Sequence, residues 1–312
     1  MRRFGTAFLL GGLCVAGAAS AQAPWYPSKY GASDIRGAVN NLSPEGVKRA
    51  AALVKTGKVY ALGIPTGPDS AVYGERAYKA EILVTPPVGQ PPIGDSKVTA
   101  FDEKVTTSMG IGTQMDGLGH LGIDHRYYNG LTSAELNTAS GFKTLELSNV
   151  PPIVTRGVVI DMLKYYGKPM VAGQAFNRVE IQAAMRAQKV TIGKGDVVLF
   201  HTGWMAAKMN SDRKAFQDTT PGLGEDGAIW LADQGVVAIG ADTITVEHIP
   251  FADPNRPFVV HQTLLAKKGV HILENVNVGL LAADGVSEFL FVLGQPRFVG
   301  TVQVVINPIA IR

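Results

Sequence analysis

The densest run of chemically capable side chains in this sequence is Gly110-Ile111-Gly112-Thr113-Gln114-Met115-Asp116-Gly117-Leu118-Gly119-His120. Gln114, Asp116 and His120 place an amide oxygen, a carboxylate and an imidazole within seven positions, on a backbone that glycine leaves free to be irregular. Such donors suit Zn²⁺ or Mn²⁺ better than Ca²⁺, which takes more oxygens and no imidazole. An Asx turn followed by a satisfied histidine would look the same in this stretch alone.

Further ligands must come from elsewhere, and the remaining histidines are His125, His201, His248, His261 and His271. His261 falls in an expected helix after Pro257, and Glu274 follows an expected strand ending at Leu273. A helix and a strand end can converge on one point, as a metal site requires. Asp242 stands at the end of another expected strand with Glu247 nearby, where a carboxylate can orient a ligand or a substrate, or cap a turn. Tyr127, Tyr128 and Trp204 lie near these runs and suggest either a pocket for a flat substrate or ordinary core. No Gly-x-Ser-x-Gly elbow, dinucleotide fingerprint or phosphate-binding loop competes with a metal-based reading.

These groups need a scaffold, and the composition supplies one. The chain has 312 residues, 46% of them hydrophobic and 18% charged, which is enough to bury a full core. Its formal charge of +3 falls to +1 without Arg2 and Arg3, so nothing favours nucleic acid or an anionic membrane. Arg2 and Arg3, the apolar run from Phe4 to Gly17 and Ala19-Ser20-Ala21 together read as a secretory signal over residues 1–21. That run is shorter than the ~20 residues of a spanning helix. No stable membrane insertion is therefore expected after cleavage. The single Cys, Cys14, leaves with the signal, so thiol chemistry is not expected in residues 22–312, and a periplasmic location is.

Residues 22–312 read as one α/β domain with a mixed sheet. Helices are expected from Ser43 to Gly57, over Ile181–Gln188 behind the capping box of Asn177 and Glu180, over Gly227–Gln234 and over Phe258–Lys268. Strands are expected at Val59–Leu62, Val197–Phe200, Val236–Ile239 and Val270–Leu273, and near 288–293 and 297–306. Pro86–Pro92 and Asn210–Gly224 read as long loops, either of them a lid or a plain surface connection.

The run Gly112-Thr113-Gln114-x-Asp116-x3-His120, followed by Tyr128-Asn129-Gly130, resembles the signature of the Putative cyclase family, metal-dependent amide hydrolases that include bacterial kynurenine formamidase and isatin hydrolase. The similarity continues through Asp34-x2-Gly37-Ala38-x-Asn40, Arg156-Gly157-Val158-x2-Asp161, His201-Thr202-Gly203-Trp204, Pro221-Gly222, Gly240-Ala241-Asp242, His261-Gln262-x-Leu264-Leu265 and Glu274-Asn275. It implies a swivelling β/β/α fold, assembly as a homo-oligomer (dimer or tetramer), and a small-molecule substrate. The family's fuller motif reads His-x-Gly-Thr-His-x-Asp-x3-His, and here Gly110 and Gln114 stand at its first two histidines.

Carried over residue by residue, the resemblance leaves Asp116, His120, His261 and Glu274 around a single Zn or Mn ion. Gln114 is then a further carbonyl ligand or a substrate contact, and Tyr128, Trp204 and Asp242 are substrate-side residues. His120 is a ligand or the general base, with Asp116 beside it in the catalytic group. The function implied is an exported hydrolase cutting an amide, formamide or cyclic imide C–N bond through a metal-activated water. A lactone hydrolase and a metal-poor, small-molecule-binding pseudoenzyme on the same fold are the alternatives.

Overall fold

The computed structural model describes residues 24–312, so the expected signal segment at 1–21 lies outside the described residues. Nine strands form one mixed sheet. In chain order they are β1 (Val59–Ala61), β4 (Gln114–Asp116), β5 (Ile153–Asp161), β6 (Val197–His201), β7 (Ala238–Ala241), β8 (His271–Glu274), β9 (Glu288–Leu293), β10 (Gln303–Val305) and β11 (Ile309–Ile311). Two further strands, β2 (Tyr78–Thr85) and β3 (Ala100–Thr107), pair only with each other. The order across the sheet is β1-β11-β9-β5-β6-β7-β8-β4-β10. The four central strands, β5 to β8, are mutually parallel, and the flanking pairs are antiparallel.

Period-two alternation sends the side chains of these strands to two cores. Val158, Ile160, Val198, Phe200, Ile239 and Ile272 face one way, onto Ile181 and Ala184, Ala228 and Leu231, and Leu264 and Leu265. Those partners come from helices α2 (Arg178–Gln188) and α3 (Glu225–Asp233), and from the π-helical stretch Gln262–Lys268 that continues the short turn Val259–His261. The opposite face buries Val159, Leu199 and Leu273 with Tyr60 and Ala310 from one end of the strand order and Met115 and Val304 from the other. Residues from both ends can share one interior only if the sheet curls on itself. The expected α/β class with a mixed sheet is the observed one.

Local chemistry explains most element ends. Helix α1 (Pro44–Ala51) starts where Ser43 Oγ accepts the Gly46 amide at 3.0 Å, and it stops short of the expected Gly57. The Glu180 carboxylate accepts the Asn177 amide at 2.8 Å ahead of α2. The expected strand at 297–306 contracts to β10, because the chain turns at Val299 and Gly300, the latter at φ +81°. Asn210–Gly224 is not a loop throughout: Asp212 accepts the Ala215 amide at 3.1 Å and starts a helix, Arg213–Asp218. Pro86–Pro92 is the tip of the β2–β3 ribbon, whose face carrying Ile82, Val84, Phe101 and Val105 stands outside both cores. Among the described residues no helix is long and apolar enough to cross a membrane.

Candidate metal centre and active site

Strand β4 is the floor of the site. It has three residues, and alternation puts Met115 into the apolar interior while Gln114 and Asp116 project from the other face. Both neighbours of β4 are antiparallel, and the registers set Gln114 opposite Glu274 of β8 and Asp116 opposite Gln303 of β10. Directly opposed side chains meet. Gln114 Nε2 donates to Glu274 Oε2 at 2.6 Å, and Gln303 Nε2 donates to Asp116 Oδ1 at 2.8 Å. Two amides thus hold two buried carboxylates in fixed rotamers.

His261 approaches from the helical side. The chain enters its turn through Phe258, at φ +57°. Glu247 accepts the backbone amides of Val260 at 3.4 Å and His261 at 3.1 Å, the place where a carboxylate stabilises exposed N–H groups. Glu247 Oε1 also lies 2.5 Å from His261 Nδ1. The other ring nitrogen, Nε2, is left 3.1 Å from Glu274 Oε1 and 3.9 Å from Asp116 Oδ2. One donor atom from each of Asp116, His261 and Glu274 lies within 4.8 Å of the others.

The electrostatics of this cluster favour a cation. Burial, and after it the adjacent Asp116 carboxylate, pushes Glu274 above the usual carboxylate range. Burial alone would depress His261, but its contacts with Glu247 and Glu274 outweigh that, and its pKa is pushed up to about 10. Asp116 Oδ2 is buried with no hydrogen-bond partner. An unpartnered carboxylate oxygen beside a second buried carboxylate is costly, and a divalent ion accepting both with an imidazole removes the cost. Two carboxylates and one imidazole are a donor set for Zn²⁺ or Mn²⁺, and three protein ligands are the usual number where a position stays open for chemistry.

A cavity of about 210 Å³ opens onto this cluster, lined by Tyr73, Arg76, Asp116, His120, Leu121, Thr245, Phe258, His261 and Glu274. The His120 amide donates to Gly117 O at 2.9 Å, a turn that folds the histidine back over β4. Burial lowers the His120 pKa, offset only in part by Asp116, so its imidazole is neutral near pH 7. The structure therefore gathers Asp116, His120, His261 and Glu274 around one space.

Other expected site residues lie elsewhere. Gln114 does not line the cavity and braces Glu274 instead. Tyr128 is buried in the helical-side core, where its hydroxyl donates to Asp34 Oδ2 at 2.7 Å. Trp204 packs in a separate cluster with Met205, Phe216 and Ile244. Asp242 accepts the Thr202 amide at 2.8 Å, the Thr202 hydroxyl at 2.6 Å and the Gly203 amide at 2.9 Å, so it fastens the turn after β6. None of these three side chains touches the cavity. Glu247, read from the sequence as an orienting or capping carboxylate, does both for His261. Tyr73, Arg76, Thr245, Phe258 and Gln303 had no motif to mark them.

With this geometry in hand, comparison with known proteins gives a consistent picture. The sequence profile of the Putative cyclase family matches residues 40–248, and the chain belongs to that family. A solved structure described as a novel cyclase is 28% identical, over 91% of this chain and 98% of its own, with a TM-score of 0.82. Isatin hydrolase A from Labrenzia aggregata, bound to benzyl benzoate, shares the fold at 16% identity, over 84% of this chain and 94% of its own, with a TM-score of 0.62. A potential metal-dependent hydrolase with cyclase activity does so at 19% identity, over 81% and 98%, with a TM-score of 0.53. No curated protein matches the chain.

Proposed function

We propose that this chain is a metal-dependent hydrolase that cuts a C–N bond of a small molecule, in an amide, formamide or cyclic imide, with one Zn or Mn ion held by Asp116, His261 and Glu274. The observation that carries this is the buried, unpartnered Asp116 Oδ2, facing His261 Nε2 at 3.9 Å beside a second buried carboxylate. The fold shared with isatin hydrolase A and with a potential metal-dependent hydrolase supports the same reading. A divalent cation held there would supply Lewis acidity, polarising a carbonyl and bringing the pKa of water down to about 7.

The protein's own residues do the rest. Glu247 keeps the proton on His261 Nδ1 and so presents Nε2 to the ion. Gln114 and Gln303 stop the two carboxylates from rotating. His120 is the general base: it lies on the cavity wall, outside the three-residue donor cluster, and a neutral imidazole can take a proton from the attacking water and return it to the leaving nitrogen. Leu121, Phe258 and Tyr73 shield the reacting atoms from bulk water.

Export to the periplasm through residues 1–21 and assembly as a homo-oligomer belong to the same proposal, and are tested by fractionation and light scattering. The central test is elemental analysis joined to a hydrolysis screen of N-formyl, cyclic imide, isatin-like and lactone compounds. One equivalent of metal, with turnover abolished by chelation and restored by Zn or Mn, is the expected result. His120→Gln should retain the metal and lose roughly 10²- to 10⁴-fold in kcat. Metal-free protein that still binds the small molecules would instead favour the pseudoenzyme reading, which the glycine at position 110 and the glutamine at 114 make the natural competitor.

A further inference from the structure

We infer that Arg76 is an anion clamp, and that the substrate carries a carboxylate next to the bond that is cut. This rests on the hydrolase reading above and narrows its substrate class.

The first observation is that Arg76 is uncommitted. Of the arginines among the described residues only Arg76 and Arg156 are withdrawn from full exposure. Arg156 is occupied: its guanidinium donates to Asp196 Oδ1 at 3.0 Å and to Glu288 Oε1 at 2.7 Å. Arg76 lines the catalytic cavity, yet none of the hydrogen bonds or ion pairs among the described residues involves it, although Asp116 and Glu274 line the same space. A half-buried guanidinium with five donors and no acceptor is a group built for a partner that enters from outside.

The second observation is that the backbone makes room for it. A Cβ added to Gly110 would lie 2.8 Å from Arg76 Cζ and 2.7 Å from Gln303 Nε2. The guanidinium thus lies against a bare stretch of main chain, beside the amide that holds Asp116. Gly110 is one of the two positions where the family motif would place an imidazole, so a side-chain cation stands where that ring would need space.

Charge balance gives the third observation. A divalent ion would neutralise the two carboxylates of its donor set, and Arg76 would then be the remaining charged side chain that lines the cavity. The remaining walls are apolar and flat: Phe258 stands edge-on to His261 at 5.4 Å and to Tyr73 at 5.8 Å between ring centroids. About 210 Å³ is smaller than an ordinary drug-sized pocket. The fitting molecule is a single small ring or short apolar body carrying one carboxylate, gripped by the planar fork of Arg76.

The test uses a matched pair, formanilide and the same formamide with an ortho carboxylate, on the Zn-loaded protein and on Arg76→Met and Arg76→Lys. Wild type should favour the carboxylate compound by roughly 10- to 100-fold in kcat/KM, the worth of a hydrogen bond to a charged group. Arg76→Met should erase that preference, bringing the ratio of the two kcat/KM values to within about threefold of one, and Arg76→Lys should keep part of it. Equal turnover of the pair by wild type, or a proportionate loss of both in Arg76→Met, overturns the clamp and leaves the hydrolase reading standing. If neither compound is cut, the hydrolase reading rests with the wider substrate screen and calorimetry decides the clamp. Benzoate binding wild type at least tenfold more tightly than Arg76→Met upholds it, and equal affinity overturns it.

Discussion

Glu247 Oε1 lies 2.5 Å from His261 Nδ1, and this contact decides which ring nitrogen faces the cavity. Glu247→Gln should lower metal affinity by about 10- to 100-fold, the usual penalty for loosening a ligand's supporting partner. Competition against a chromogenic chelator measures it directly. An unchanged affinity would mean that Glu247 serves only the backbone amides of Val260 and His261.

The proposed single ion turns on Gly110. Gly110→His with Gln114→His restores the imidazoles of the family motif, but the new side chain must displace Arg76 and Gln303. Overpacking of this kind costs about 1–3 kcal/mol. The double variant should melt earlier and still hold a single equivalent of metal. Adding Arg76→Ala should raise the count to two in elemental analysis, and a count that stays at one would show that the space belongs to something other than the guanidinium.

Asp242, the residue after β7, has a structural duty in its hydrogen bonds. Its carboxylate satisfies two backbone amides and a hydroxyl in the turn after β6. Asp242→Ala leaves those buried donors unsatisfied and should destabilise the fold by about 2–4 kcal/mol. Metal content and the KM of any substrate should not change. A selective rise in KM without a loss of thermal stability would return Asp242 to the substrate site.

The His201–Asp161 pair predicts a pH dependence away from the metal. Burial alone would lower the His201 pKa, but its 3.0 Å contact with Asp161 and the charge of Asp242 raise it. Burial alone would raise Asp161, but His201 and the Lys164 amide hold it below the usual range. The His201 contribution is complete below its unfolded value of about 6.5 and disappears as pH rises through the elevated folded value. The Asp161 contribution is complete above about 3.9 and disappears as pH falls through the depressed folded value. Wild type should therefore lose about 1–3 kcal/mol relative to His201→Gln between pH 6 and pH 9. Parallel denaturation profiles for the two proteins over that range would show the pair to be inert.

What the sequence disclosed follows from the range over which each signal acts. Capping residues and period-two runs are local, so α1, α2, β6 and β8 were close to legible. Asp116, His261 and Glu274 were legible because their types are rare and the ordered family matches placed them. Gln303 and Arg76 were not, since only the register of β10 on β4 brings the first to Asp116 and only the path of the chain before β2 brings the second to the cavity. Tyr128, Trp204 and Asp242 misled for the opposite reason. A tyrosine, a tryptophan and an aspartate beside a motif have common structural duties, in a core or a turn, and no local pattern separates those duties from substrate contact. The amphipathic ribbon of β2 and β3 was hidden by its proline-rich tip, which reads as an irregular connection.

Strand β4 is three residues long and paired on both sides. A sheet moves side chains in whole steps, so a slip of one residue would put Met115 over the cavity and bury Asp116 in the apolar interior. The active surface behaves like a pegboard whose holes cannot drift. New chemistry on such a surface comes from changing what is fitted into a hole, and position 114, on the strand itself, is one such hole.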